Sequence, residues 1–210
     1  MFFDFSSAFN TIQPEFLRDK LENTGVDHHL TYWILDYLTE RPQYVRTCDC
    51  MSDIAVCSTG APQGMVLASF LFTHNTADFS YNTATCHLQK FSDDSAIVGL
   101  INNENEKEYR ELTQDFVDWC QRYRLQINEG TTKELVVAFR RRSFCPPTLV
   151  NIQGTDIEMV TCYKSLGVHL NNKLDWTHNT TALYKKGQSR LSAQETEVFW
   201  SAGGTPEDLL

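Results

Sequence analysis

At 210 residues and 24.1 kDa the chain is the size of about one domain, and its 41% hydrophobic content is enough for a core, which argues against a disordered chain or a repeat array. Eighteen Lys and Arg against 27 Asp and Glu leave a net charge of −9, which favours solubility and argues against broad affinity for phosphate backbones. A membrane span needs about 20 apolar residues; the run from Met65 to Phe72 is already broken by Ser69, so no membrane partner is expected.

The N-terminus reads Met-Phe-Phe-Asp, without a signal-peptide pattern, so the expectation is an intracellular protein, cytoplasmic or nuclear. Seven cysteines, irregularly spaced and without a C-x-x-C pair, are expected to be reduced and structural. In such a compartment the sequon at Asn179 to Thr181 carries no glycan.

In chain order, residues 2 to 5 predict a strand ending near Asp4, followed by a helix opened by Pro14, with Phe16, Leu17 and Leu21 on one face and Gly25 as terminator. Asp27 can cap a second helix whose apolar face is expected at Leu30, Trp33, Ile34, Tyr37 and Leu38. Residues 43 to 58 predict two short strands. The segment Gly60-Ala61-Pro62-Gln63-Gly64 is too rich in Gly and Pro for a regular element, and a buried helix is expected from Val66 to about Phe79. His87 to Phe91 and Ser95 to Ile101 flank Asp93-Asp94 as a hairpin would. Residues 104 to 124 form an amphipathic helix pattern, Leu135 to Phe139 a buried strand, and residues 149 to 176 short strands turning at Gly154 and Gly167. Residues 191 to 210 contain no Lys or Arg and no periodic apolar face, and are expected to be unstructured. The order predicts an α+β fold, helices layered on a mostly antiparallel sheet.

Asp93 and Asp94 at a hairpin tip, with Asp4 at the end of a strand able to pair beside it, bring three carboxylates together. Such acids repel one another unless a cation sits among them, and Mg2+ takes oxygen ligands of this kind. Taken by itself, Asp-Asp in a tight turn is more often a turn former than a metal site, since Asp is a common turn residue.

The order of motifs resembles the reverse transcriptases of non-LTR, LINE-type retrotransposons, especially those of fish genomes, from residue 1 to about 190. Phe3-Asp4-Phe5-Ser6-Ser7-Ala8-Phe9-Asn10 is similar to the first palm motif, Gly60-Ala61-Pro62-Gln63-Gly64 to the second and Phe91-Ser92-Asp93-Asp94 to the third. Leu125 to Asn128 through Lys133-Glu134-Leu135 resembles the fourth, and Tyr163-Lys164-Ser165-Leu166-Gly167-Val168 the hairpin that grips the primer.

The resemblance implies a polymerase palm-type antiparallel sheet with helices on one face, over residues 1–176, with 177–190 starting the thumb and 191–210 a divergent tail. It implies an RNA-directed DNA polymerase that transfers nucleotides to a DNA primer on an RNA template from deoxynucleoside triphosphates. Asp4, Asp93 and Asp94 would be catalytic and hold two Mg2+ ions, with Mn2+ possible. Phe9 would be the gate against a ribose 2′-OH; Pro62, Gln63 and Gly64 would contact the nucleotide; Leu166, Gly167 and Lys133 would contact primer or template.

The sequence departs from the family pattern in three respects. Met1 lies three residues before Asp4, so the fingers are expected to be missing and the first strand to lose ladder bonds. Thr131 stands where the family usually has Lys. The segment 183–190 is followed by an acidic tail where a basic thumb is expected, which leaves Arg140 to Arg142, Lys164, Lys173, Lys185 and Lys186 as the remaining basic surface.

These departures predict weak or no polymerisation. The alternative is a non-enzymatic remnant that associates with nucleic acid. A minor alternative is a likeness of residues 163 to 190 to the N-terminal region of an alkylation-repair homologue, a tRNA-modifying dioxygenase and methyltransferase. Its His-x-carboxylate pair and Gly-rich loop have no counterpart in this sequence.

Overall fold

The computed structural model describes residues 1–102, 105–139 and 148–201, with side chains as far as 191. The chain divides into two compact units, one of Met1–Glu134 with Pro147–Met159 and the other of Leu135–Pro146 with Val160–Leu210. Arg140 to Arg142, Pro146-Pro147 and residues 202–210 lie outside the described residues. No described helix is long and apolar enough to cross a membrane.

The first unit is built on a five-stranded sheet in the order β4-β5-β1-β6-β9, from Cys86–Phe91 (β4), Asp94–Gly99 (β5), Phe2–Phe3 (β1), Lys133–Leu135 (β6) and Glu158–Val160 (β9). The β4–β5, β5–β1 and β1–β6 pairings are antiparallel. The α+β class is thus borne out. The ladder beside β1 continues through Met1, whose carbonyl accepts from Ile97 N at 2.9 Å and whose own nitrogen donates to Ile97 O at 2.7 Å. β1 is central and paired on both edges, over the two residues Phe2 and Phe3.

Helices Pro14–Asn23 (α1), His28–Leu38 (α2), Val66–Asn75 (α3) and Lys107–Arg122 (α4) cover the sheet. Pro14 opens α1, and Gly25 ends it at φ +78°, where its N–H reaches the Glu22 carbonyl. The Asp27 carboxylate accepts from the N–H groups of His29 and Leu30 and caps α2 as expected. The buried face of α2 is Thr31, Ile34, Leu35 and Leu38, while Leu30 and Trp33 face outward. That corrects the expected stripe. Two overlapping 3.6-residue periods pass through Ile34 and Leu38, and packing against α1 selects the one containing Leu35.

On α4, Tyr109, Leu112, Phe116, Trp119 and Cys120 are buried as the periodicity requires. Phe116 lies edge-on to Phe3 at 4.7 Å between ring centroids, and Leu17, Leu21, Leu71 and Phe72 close the core. Each such side chain removed from water stabilises the fold by about 2 kcal/mol.

Two expected elements are shorter. α3 ends at Asn75 rather than near Phe79. The expected strand Leu135 to Phe139 is instead Lys133–Leu135, and Phe139 is exposed. The Phe2↔Lys133 register sets this strand, so Glu134 takes the buried position that the apolar run suggested for its neighbours. Arg41–Gln43 (β2) pairs with Ala55–Cys57 (β3), and Asn151–Ile152 (β7) with Thr155–Asp156 (β8), both antiparallel.

The second unit contains the hairpin Cys162–Ser165 (β10) and Val168–Asn171 (β11), turning at Leu166 and Gly167 with φ +48° and +82°, followed by the helix Thr177–Ser201 (α5). Positive φ at both central residues is the mark of a type I′ turn. The Asp175 carboxylate accepts from Asn171 Nδ2 and from the Thr177 N–H and hydroxyl, and these bonds, that of Asn171 first, lower its pKa. The α5 helix runs to Ser201, into a stretch expected to be unstructured; Leu, Ala, Gln and Glu there favour helix even without an amphipathic pattern.

Candidate active site

The β4–β5 hairpin pairs Phe91 with Asp94, leaving Ser92 and Asp93 as a two-residue turn with Ser92 at φ +55°. Positive φ at a residue other than Gly is disfavoured and is held here by the strands on either side. On the other edge of β5, Phe2 faces Ala96 and Phe3 faces Ser95, so one further step along the same register sets Asp4 across from Asp94. Main-chain pairing thus brings together carboxylates that lie about 90 positions apart in sequence, and it does so from a central strand.

The charges respond to one another. The Asp94 pKa is raised, first by desolvation of its carboxyl and then by the negative charges of Asp93 and Asp4. The residue as a whole is exposed, so the desolvation comes from protein flanking the carboxyl rather than from enclosure. Asp4 is anchored from the fourth motif: the Thr131 hydroxyl donates to its Oδ2 at 2.6 Å, Thr132 Oγ1 accepts from its N–H at 3.2 Å, and its carbonyl accepts from Asn128 N at 2.8 Å.

Phe9 sits on the 3-10 turn Ala8–Thr11, half-buried, its ring edge-on to Phe72 at 5.6 Å. The segment 60–64 docks onto this turn. Ala61 N donates to the Phe9 carbonyl at 2.9 Å and Gly60 N to that of Ile12 at 2.8 Å. Gly60 has φ +72°, and a Cβ on it would lie 2.6 Å from Asn10 Cα, so only glycine lets the two loops approach this closely. Pro62 and Gln63 line an open cleft of about 530 Å3 that Asn10 also borders. Gly64, φ +83°, is exposed beside them.

Lys133, expected to contact primer or template, has its ammonium engaged within the domain. Its Nζ pairs with Glu158 Oε2 at 2.8 Å and donates to the Gly130 carbonyl. Leu166 and Gly167 are exposed at the tip of their hairpin in the second unit.

A family model described as reverse transcriptase (RNA-dependent DNA polymerase) matches residues 1–170, from β1, which leads into Asp4, to the β10–β11 hairpin. The chain belongs to the reverse transcriptase family. Among curated proteins this reverse transcriptase domain is similar to the probable RNA-directed DNA polymerase from transposon BS of Drosophila melanogaster, 26% identical over 91% of the chain and 22% of that protein. It is also similar to the RNA-directed DNA polymerase from mobile element jockey of Drosophila funebris, 24% identical over 95% of the chain and 22% of that protein. The jockey polymerase of Drosophila melanogaster is 24% identical over 76% of the chain and 18% of its own length. The chain thus spans about a fifth of the length of these relatives. The non-LTR, LINE-type resemblance is borne out.

Reverse transcriptases use divalent metal, and the donor set at this sheet end suits it: hard carboxylate oxygens whose mutual repulsion shows in the raised Asp94 pKa. Among the described residues no three ligating side chains already close into a metal cage, so a cation would have to draw these carboxylates inward.

Sequence reasoning missed Arg41 at the start of β2. Its guanidinium lines the same cleft as Gln63 and donates to the Gly60 carbonyl at 3.3 Å. No local signal marks it: Arg41 pairs with Cys57 of β3, the strand that leads into the Gly60–Gly64 segment, and that pairing spans 16 positions.

Proposed function

We propose that this domain is the palm of an RNA-directed DNA polymerase that extends a DNA primer on an RNA template from deoxynucleoside triphosphates. The observation that carries the reading is the β1–β5 register, which sets Asp4 across from Asp94 with Asp93 in the adjoining turn. Asp4, Asp93 and Asp94 would hold two Mg2+ ions, or Mn2+, which when bound stabilise charge on the attacking and leaving oxygens of phosphoryl transfer. In the balanced reaction the primer 3′-oxygen bonds to the α-phosphorus, pyrophosphate leaves, and the hydroxyl proton passes to solvent.

The protein's part is positioning. Phe9, backed by Phe72 and held through its carbonyl by Ala61, would stand under the sugar and reject a 2′-OH. Pro62, Gln63 and Gly64 would present exposed backbone and an amide to the nucleotide, and Leu166 and Gly167 would meet the primer end. Lys133, whose ammonium also pairs with Glu158, would contact primer or template. The reading places the domain inside the cell, in cytoplasm or nucleus, where RNA and deoxynucleotides are available.

Primer extension on an RNA template, with Mg2+ and then Mn2+, tests this against Asp93→Asn. The expected result is metal-dependent extension reduced at least about 100-fold in the variant, on the scale of losing one preorganised electrostatic contact. Extension that survives Asp93→Asn rejects the site. RNA–DNA binding without extension, from a chain whose melting is cooperative, favours a non-enzymatic nucleic-acid-associating domain, a reading that the net charge of −9 does not help.

A further inference from the structure

The cleft beside the Gly60–Gly64 segment carries a cation that the proposed chemistry does not use. Arg41 opens β2 opposite Cys57, and its side chain is fixed at both ends of the fork. Nη1 donates to the Gly60 carbonyl at 3.3 Å. With the Gln43 amide turned so that its oxygen faces the guanidinium, that oxygen accepts from Nε at 2.9 Å and from Nη2 at 2.8 Å. A guanidinium has five N–H donors, so these bonds leave one on each terminal nitrogen. Among the described residues no carboxylate pairs with Arg41, and the cleft lining contains no acidic residue.

An arginine held in one orientation, with one donor unspent on each terminal nitrogen and no counter-charge, suits a phosphate. Tyr44 lines the same cleft and is 55% exposed, offering a ring beside the cation, and the Asn10 and Gln63 amides complete the wall. Cation, aromatic face and amides within about 530 Å3 are the parts of a single-stranded nucleotide subsite, where phosphate meets Arg and a base stacks.

We propose that Arg41 and Tyr44 form a binding subsite for one nucleotide of the single-stranded template RNA, its phosphate on Arg41 and its base on Tyr44. The charge count decides between the two sources of phosphate: a triphosphate calls for several cations, and Arg41 is the one cation among the described residues lining this cleft, enough for the single phosphate of a strand. The inference rests on the reading of the domain as a template-directed polymerase, and it is tested by binding, which needs no catalysis.

The experiment is fluorescence anisotropy of a labelled, unstructured RNA oligonucleotide with the full chain, over a range of salt. Arg41→Gln is expected to bind about tenfold more weakly at low salt, as for a lost charge-assisted hydrogen bond, and to flatten the log–log salt slope by about 0.7, one single-strand phosphate. Arg41→Lys should keep the slope and lose part of the affinity, and Tyr44→Ala should weaken binding about fivefold or more without changing the slope. Retention of deoxyguanosine triphosphate by equilibrium dialysis should be the same in all four proteins.

Unchanged RNA affinity and slope in Arg41→Gln overturns the proposal, and so does a loss confined to the triphosphate. If Arg41→Gln fails to fold because Gly60 loses its donor, Arg41→Lys and Tyr44→Ala decide on the same criteria. Asp93→Asn should bind RNA as the wild type does. Arg41-dependent binding in a chain that never extends a primer then separates failure of the catalytic reading from failure of this one.

Discussion

Two clusters of charge in the first unit are built on opposite principles. Behind α1, the Lys20 ammonium is 8% exposed and fully engaged. It donates to the Asn75 carbonyl, pairs with Asp78 Oδ1 at 2.9 Å and lies 3.6 Å over the ring of Tyr123. Asp78 in turn accepts from Trp119 Nε1 at 3.3 Å. At the β4–β5 turn, Asp93, Asp94 and Asp4 share one end of the sheet with no cationic side chain paired to them among the described residues. One cluster satisfies its charges internally and holds α1, α3 and α4 together. The other leaves like charges unsatisfied, which is the condition expected of a site that completes itself with a ligand.

The comparison is broken most forcefully by removing one member of the satisfied pair. Asp78→Ala leaves the Lys20 charge buried without its carboxylate and is expected to cost about 3 kcal/mol, roughly 10 °C in melting temperature for a chain of this size. Lys20→Met removes the charge and keeps the volume, and is expected to cost far less. Desolvation lowers the Lys20 pKa while Asp78 opposes it, so the pair gives back part of what it gains. Equal and large losses from both variants would mean that the ion pair itself, rather than an abandoned charge, holds this region.

A smaller effect of opposite sign is expected at the carboxylates. Because the folded state raises the Asp94 pKa above its unfolded value, ionised Asp94 costs stability at neutral pH. That cost disappears as pH falls through the raised value, since the folded state takes up its proton first. Asp94→Asn is therefore expected to raise the melting temperature at pH 7 in the absence of metal, with the difference closing at low pH. Mg2+ should raise the melting temperature of the wild type and leave the variant nearly unmoved. A variant less stable than wild type at pH 7 would show that Asp94 serves the hairpin structurally.

The smallest effect belongs to Thr131, whose hydroxyl donates to Asp4 in an exposed position. Thr131→Ala is expected to change stability by less than about 1 kcal/mol. A larger loss in thermal melts would mean that the Asp4 position depends on that hydroxyl.

How much of this was legible in the sequence differs by region. Asp27 as a cap, the apolar face of α4 and the Asp93–Asp94 hairpin were readable because each is decided within a few residues by backbone hydrogen bonding or periodicity. The outward turn of Leu30 and Trp33 was not, because two helical stripes were both possible and contact with α1 chose between them. Glu134 in place of an apolar neighbour, and Lys133 turned to Glu158, follow from β1–β6 register and a partner 25 positions away. Arg41 carries no local signal, because its setting depends on the Gly60 carbonyl and on a cleft that exists only after folding.

By itself the sequence determined which residues could carry charge chemistry and in what order, since carboxylate type, turn residues and motif succession are local properties. Tertiary structure alone decided which of them meet. The antiparallel register of β1 with β5 sets Asp4 across from Asp94, and the missing Cβ of Gly60 lets the Gly60–Gly64 segment close on the Phe9 turn. Both are long-range pairings whose geometry no stretch of chain specifies alone.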